Sequence, residues 1–498
     1  MSYRRIFDAA SVPEVILATA RDPAIRARPA LWAEGRTLDY SALADAVTRV
    51  SGLLLERGLR RGERVALIAR RSVDAVAGAL GIMAAGGAVC VVDERLPPAE
   101  LGVRLRSAEI GWLLADATHR ELAGAAAELK RVELEDAARA SPRAREGIGH
   151  GDDALLVMTS GSTGTPKAVL LTHGNLLSNA YGVAERTGVT PEDRLLHLLP
   201  LHHTNGTNNL LIVPFCCGAS VVMLARFHAE TLFHEIATHR PTYVTGVATH
   251  YSRLLAHEPP PGALASLRFL RSGAAPLNAQ LHRDIERHLG LPLIHSYGLS
   301  EDTCTATMNP PAARRIGTVG TALAGQRVAV LAPGSEQPVA VGSEGEICIA
   351  GPSLMKGYVP PAGHADGPSI RNGWLRTGDL GWLDGEGYLT VSGRLKEIIL
   401  RGGENLSPGR IEEAILRNSA VRACCVVGAP DADLGEVPVA FVVAGDGASV
   451  RPEAIQDQVR AELPRACVPA RVVVLGALPE IGIGKIDRAA LKRLAAGA

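Results

Sequence analysis

The sequence predicts an α/β protein: a large N-terminal region of two similar α/β sheets with a small β subdomain, then a small α+β C-terminal domain. Three observations carry this. Strand-like apolar runs alternate with amphipathic helical runs as far as residue 300, the rhythm of parallel sheets. From about residue 315 to 392 the pattern becomes short strands and turns rich in Gly, Pro and Asp. After "GRLKEII" a compact mixed pattern begins again, about the length of an independent domain. At 498 residues the chain also exceeds the ~250–300 residues over which one core grows. The expected division is 1–393 and 394–498.

In the first region "RVALIA", "AVCVVD" and "WLLAD" read as strands, with helices over 72–85 and in "AELGVRLRSA" between them. The rhythm returns in "RLLHLLP", "SVVMLA", "TYVTG", "LRFLRSG" and "LPLIHSYG". "GEICIAG" and "GYLTVSG" are strands of the β subdomain. The last domain is expected to hold helices at 408–418 and 451–463 with strands at "ACCVVGA", "VAFVVA" and "RVVVLG". Residues 75–92 carry no charge and approach the length of a membrane span. Gly86-Gly87 in their midst, followed by "AVCVV", reads instead as helix, glycine stop and buried strand. No membrane segment and no signal peptide are expected.

Formal net charge is +0, which gives no general pull toward nucleic acid. Eight cysteines without a CxxC, mostly inside apolar runs, read as reduced buried thiols of a cytoplasmic protein. "HLLPLHH" has no matching thiolate or carboxylate spacing for zinc. No sequence feature sets an oligomeric state.

The run Thr159-Ser160-Gly161-Ser162-Thr163-Gly164-Thr165-Pro166-Lys167 combines turn-forming glycines, hydroxyl donors and one ammonium. Together they suit a polyphosphate. It is not a Walker A loop, because Thr165-Pro166 separate the last glycine from the lysine. Lysine is scarce: of 52 cationic side chains only those at 130, 167, 356, 396, 485 and 492 are lysine. A compact ammonium fits between crowded anions where a planar guanidinium does not.

The loop with "LTHGNL" after it resembles the adenylate-forming superfamily of acyl-CoA synthetases, aryl-CoA ligases, stand-alone adenylation domains and beetle luciferases. The likeness continues in order through "LPLHH", "RSGAAPL", "YGLSE", "LRTGDLGWLDGEGYL", "GRLKEIILRGGENLSPGRIEEAI" and "GIGKIDRAAL". It spans nearly the whole chain.

The resemblance implies ATP-dependent conversion of a carboxylic acid to an acyl-adenylate with release of pyrophosphate, then transfer to the thiol of coenzyme A (CoA). It also implies residue roles. Lys485 bridges substrate carboxylate and α-phosphate, while Glu301, with Thr163, holds Mg²⁺. Tyr297, Ser300, Gly273 and Ala274 line the adenine side; Asp379 takes the ribose hydroxyls and Arg394 pairs with the ribose or phosphates. His203, Thr204, Val247 and Gly298 line the acid pocket, His203 among the catalytic set. Lys396 is the hinge of a mobile C-terminal domain, and Gly402 and Gly403 let the pantetheine arm pass.

Residues 195–229 contain no Asp or Glu, which disfavours an α-amino acid. The segments "HHTNGTNN" and "TYVTGVATH" combine small residues with Thr, Asn and His and suggest a roomy, partly polar pocket for a neutral-bodied acid, aromatic, alicyclic or aliphatic. Three alternatives stay open: loading of a carrier-protein pantetheine, a luciferase-like oxygenase, and nucleotide binding without catalysis. Retention of Lys485 and Glu301 in their motifs argues against the last.

Overall fold

The computed structural model describes residues 3–124, 126, 128–159, 167–359, 369–445, 447–481 and 485–497. Its first sheet has seven strands, in the order Gly357–Val359, Lys167–Thr172, Asp153–Thr159, Ala88–Val91, Arg64–Ile68, Trp112–Ala115, Lys130–Glu133. The charge-free run resolves as expected. Helix Val73–Ala84, capped by Ser72 accepting from the Ala75 amide, ends at Gly86 with φ +79°, and the buried strand Ala88–Val91 comes next. Among the described residues no helix is long and apolar enough to cross a membrane.

The second sheet has nine strands. Its parallel centre is Leu293–Tyr297, Phe269–Ser272, Tyr243–Gly246, Arg194–His197 and Ser220–Met223. One member comes from far away in sequence: Pro29–Ala33 pairs in parallel with Ser220–Met223, Leu31 opposite Val221. The N-terminal segment therefore crosses into the second sheet, and a single apolar cluster draws on both halves, from Val65 and Val89 to Leu195 and Val221.

The β subdomain is an antiparallel sheet of Arg327–Leu331, Gly345–Ala350, Trp374–Leu383, Ser369–Arg371 and Leu389–Arg394. One segment within this stretch behaves differently from the expectation. Gly357–Val359 leaves the subdomain and edges the first sheet, Tyr358 opposite Val169. The register of so short a strand is set by tertiary contact rather than by local pattern.

The chain leaves the β subdomain at Arg394 and enters a new sheet at Ile399. There Val421–Asp431 and Gly435–Ala444 form a long antiparallel pair, and Arg471–Leu475 runs parallel to the second of them. Helices Pro408–Leu416 and Pro452–Glu462 cover one face through Ile411, Ile415, Ile455 and Val459; helix Arg488–Ala496 covers the other through Leu491 and Ala495. Alternating Val, Cys and Phe along the two strands feed both faces, so this small unit has apolar layers of its own.

Candidate active site

The parallel strands of the second sheet end on one edge, where ligands of open α/β sheets bind. The turns beyond three of these strands carry residues singled out from sequence. Val247 comes after Tyr243–Gly246, Gly273 and Ala274 after Phe269–Ser272, and Gly298 after Tyr297. Ala274 holds φ +63°, a left-handed turn that a non-glycine residue seldom adopts. A Cβ on Gly298 would stand 2.2 Å from the Cys304 carbonyl oxygen, so only glycine lets these backbones meet.

Two side-chain clusters form beside this edge. In one, Tyr297 donates its hydroxyl to Asp379 Oδ2 at 2.7 Å, and Arg394 Nε reaches Asp379 Oδ1 at 3.2 Å. Burial raises the pKa of Asp379, and Arg394 and the Tyr297 hydroxyl oppose that rise. Gly378, at φ +72°, donates its amide to Glu346, and the Asp379 amide donates to Thr377 Oγ1, which fixes the turn carrying the carboxylate.

In the other cluster Tyr358 donates to Glu301 Oε1 at 2.7 Å, and the Lys167 ammonium lies 5.6 Å from the centre of the Tyr358 ring. Burial raises the Glu301 pKa, against the hydroxyl of Tyr358. Glu301 sits in the short helix Ser300–Asp302, followed by Thr303 at φ +64°. Its neighbour Asp302 is wholly buried, accepts from Ser353 Oγ, and is raised to about 7 by burial. Tyr358 was missed from sequence because its strand is recognisable only by pairing; "KGYV" carries no periodicity to flag it.

The segment after Arg194–His197 turns into the π-helix Asn205–Ile212, a geometry common at functional sites. Its Gly206 carbonyl oxygen lies 2.9 Å from His197 Nε2, and Arg71 clamps the strand end through the His197 and Leu224 carbonyls at 3.1 and 2.9 Å. Thr204 is buried, whereas His203 is exposed and its ring packs 4.4 Å from that of His202. His202 faces Asp93 at 3.7 Å; burial lowers this imidazole to about 4.

Ser160, Gly161, Ser162, Thr163 and Gly164 lie outside the described residues; Thr159 and Lys167 end the two strands that flank them. Lys485 is described in its backbone, paired with Ile481 in a two-stranded hairpin. Glu480 of that hairpin stands 3.9 Å from Arg253 on the helix Ala248–Leu254, which comes after the strand Tyr243–Gly246. Lys396 is exposed in the turn Leu395–Glu397. Gly402 and Gly403 form the turn between Ile399–Arg401 and Glu404–Leu406, with φ +55° and +86°. The amide of Gly402 is taken up within the C-terminal unit, by the Leu434 carbonyl at 2.7 Å. Arg488 ties the C-terminal helix to Glu412 at 2.7 Å and to Glu397 at 3.3 Å, next to Lys396.

Comparison with known proteins bears on what this arrangement does. The family described as AMP-binding enzyme matches residues 19–359, and the AMP-binding enzyme C-terminal domain matches residues 410–485. A sulfoacetate–CoA ligase of Cupriavidus necator is 40% identical over 337 residues, 67% of this chain and 66% of that protein. A feruloyl-CoA synthase of Amycolatopsis sp. is 33% identical over 468 residues, 92% of this chain and 94% of that protein. Among solved structures, ATP-bound MatB from Rhodopseudomonas palustris superposes with a TM-score of 0.90 at 30% identity, covering 97% of this chain and 98% of that one. An o-succinylbenzoate CoA synthetase from Bacillus subtilis in complex with its acyl-adenylate gives 0.82 at 28% identity, over 96% and 97%.

Proposed function

The chain belongs to the AMP-binding enzyme family and is an AMP-forming acid–thiol ligase, and from that premise we propose how its residues divide the two half-reactions. The observation that carries the proposal is the pairing of Tyr297, Asp379 and Arg394 at the carboxyl edge of the second sheet. A carboxylate there has two oxygens with lone pairs to spare for the ribose hydroxyls of ATP. Gly273 and Ala274 offer close backbone to the adenine edge, with Tyr297 beside it. Thr159, Lys167 and the residues between them take the β- and γ-phosphates.

The first half-reaction brings a carboxylate to the α-phosphate. At ~4 Å two unit negative charges repel by about 4 kcal/mol at an effective dielectric of 20. Lys485 supplies the charge that offsets this. The ion pair between Glu480 and Arg253 supports a C-terminal unit turned so that the Lys485 hairpin faces the acid side of the site. Glu301 is an oxygen donor already desolvated and held by one hydroxyl, which suits a hard divalent cation, so Glu301 with Thr163 would hold Mg²⁺. A cation held there would neutralise phosphate charge.

In the second half-reaction the thiolate of CoA attacks the acyl carbonyl, the acyl–phosphate bond breaks, and AMP leaves. Lys485 then has no role at the reacting carbon. Rotation about Lys396 replaces the hairpin with the Gly402-Gly403 turn, whose lack of side chains admits the pantetheine arm. The division between the moving parts falls at 394–397, where the chain passes from one sheet to the next. The names of the relatives, ligases of sulfoacetate, ferulate and 2-succinylbenzoate, support CoA as acceptor and leave the acid open.

Pyrophosphate release measured over a panel of carboxylic acids, with and without CoA, tests this. Acid-dependent release with CoA consumption is the expected result. Release without CoA consumption would shift the acceptor to a carrier protein, and no acid-dependent release would overturn the ligase reading.

A further inference from the structure

The strand Phe269–Ser272 carries a buried guanidinium directly after two apolar residues, Phe269 and Leu270. Arg271 is 2% exposed. Its side-chain hydrogen bond to protein is long, Nη2 to Thr305 Oγ1 at 3.5 Å, and its Nε has no partner among the described residues. Burial lowers its pKa; the groups that support its charge are Cys304, Tyr243 and Tyr251, none of them a carboxylate. Buried charges are normally paired, because desolvation without a counter-charge is costly. Arg71, the other deeply placed arginine of this region, is saturated by backbone carbonyls.

The surroundings are short of partners in the same way. Thr245 stands at the same register on the adjacent strand, hence on the same face of the sheet, and its buried hydroxyl has no partner among the described residues. Asn209 of the π-helix donates to Thr305 Oγ1 and Cys304 Sγ at 3.0 Å each, and its own Oδ1 is buried and likewise unpartnered among them. Arg271 precedes Gly273 by two residues, about 7 Å of strand. It therefore lies just behind the turn assigned to the adenine side, with Thr245 opposite it on the next strand and Thr305, which also takes Asn209, beside it.

We propose that Arg271 is the recognition residue for a second anionic group on the acid, so that the substrate is a short dianionic acid. One carboxylate is activated, and a second carboxylate or a sulfonate seats on the guanidinium fork. The inference rests on the ligase reading and departs from the neutral-bodied acid expected from the sequence, which leaves Arg271 without a carboxylate counter-charge among the described residues.

The test compares pyrophosphate release by the wild type with malonate, succinate and sulfoacetate against propionate, butyrate and phenylacetate. It is repeated with Arg271→Met and Arg271→Lys. The best dianion is expected to exceed its monoanionic counterpart in kcat/KM by about 100-fold or more, since a site built for a polar group rejects analogues that lack it. Arg271→Met should erase that preference, and Arg271→Lys should keep part of it. Which of the dianions wins separates dicarboxylate from sulfonate. Malonate or sulfoacetate should also raise the thermal midpoint of the wild type and not of Arg271→Met, while ATP raises both. If monoanionic acids alone are turned over, or Arg271→Met keeps the preference, the inference fails and the ligase reading stands. If Arg271→Met does not fold, the wild-type panel and Arg271→Lys decide. If no acid releases pyrophosphate, the ligase reading fails and the inference with it.

Discussion

Tyr297 and Asp379, 82 positions apart, meet through a 2.7 Å hydrogen bond that joins the end of a parallel strand to the β subdomain. The Tyr297 hydroxyl helps to hold Asp379 ionised against burial. In Tyr297→Phe that help is lost, the Asp379 pKa rises further, and the acid limb of kcat/KM for ATP moves to higher pH. Loss of a hydrogen bond to a charged group costs about 1.5–3 kcal/mol, so kcat/KM for ATP should fall about 10- to 100-fold. A pH–rate profile with an unmoved acid limb would contradict this role for Asp379.

Lys485→Ala should separate the half-reactions. Adenylation, read as pyrophosphate release, is expected to fall by at least about 100-fold, as for loss of one electrostatic contact to the transition state. Thioester formation from a supplied acyl-adenylate should stay near wild type. Equal loss in both steps would remove the two-orientation mechanism.

Tyr358→Phe leaves the buried Glu301 carboxylate without its 2.7 Å donor. The Glu301 pKa, already raised by burial, rises again, so a smaller fraction is ionised near neutrality. The Mg²⁺ concentration for half-maximal activity should increase by about 5- to 20-fold, less so at higher pH. Magnesium titrations at pH 6.5 and 8.5 check both the size and the sign; an equal effect at the two would argue against ionisation as the cause.

Asp302 makes a separate prediction about stability. Burial raises its pKa to about 7, far above an exposed aspartate at ~3.9, so the native state binds the proton more tightly than the unfolded chain. Stability therefore falls as pH rises through the window from ~4 to about 7, by roughly 4 kcal/mol in all. Asp302→Asn removes that dependence, and its thermal midpoint should overtake the wild type's as pH passes from 5 to 8. Parallel pH profiles of the two midpoints would refute the assignment.

Local patterning made the α/β rhythm legible, down to the glycine stop at Gly86 and the strand at Ala88–Val91, because both depend on neighbours in sequence. The motif residues Tyr297, Asp379 and Arg394 could be named in advance, and the structure brings them into one bonded cluster. Two things escaped. Tyr358 gains its meaning from an edge pairing with Lys167–Thr172, which no local periodicity encodes. Arg271 belongs to a buried strand, and the signal available was the run "LRFLRSG" itself: two cations, Arg268 and Arg271, in an apolar stretch with no acid nearby in sequence, of which only Arg268 finds a carboxylate among the described residues, Asp193.

The placement of Pro29–Ala33 has a consequence for how the chain is made. Leu31 must wait for Val221, 190 residues later, before its parallel neighbour exists. At ~5–20 residues per second, a ribosome leaves that strand edge uncovered for about 10–40 s, with only the hairpin partner Arg36–Asp39 beside it. During synthesis the emerging protein thus exposes an open apolar edge that the finished molecule never shows, and chaperone capture or premature association would act there first.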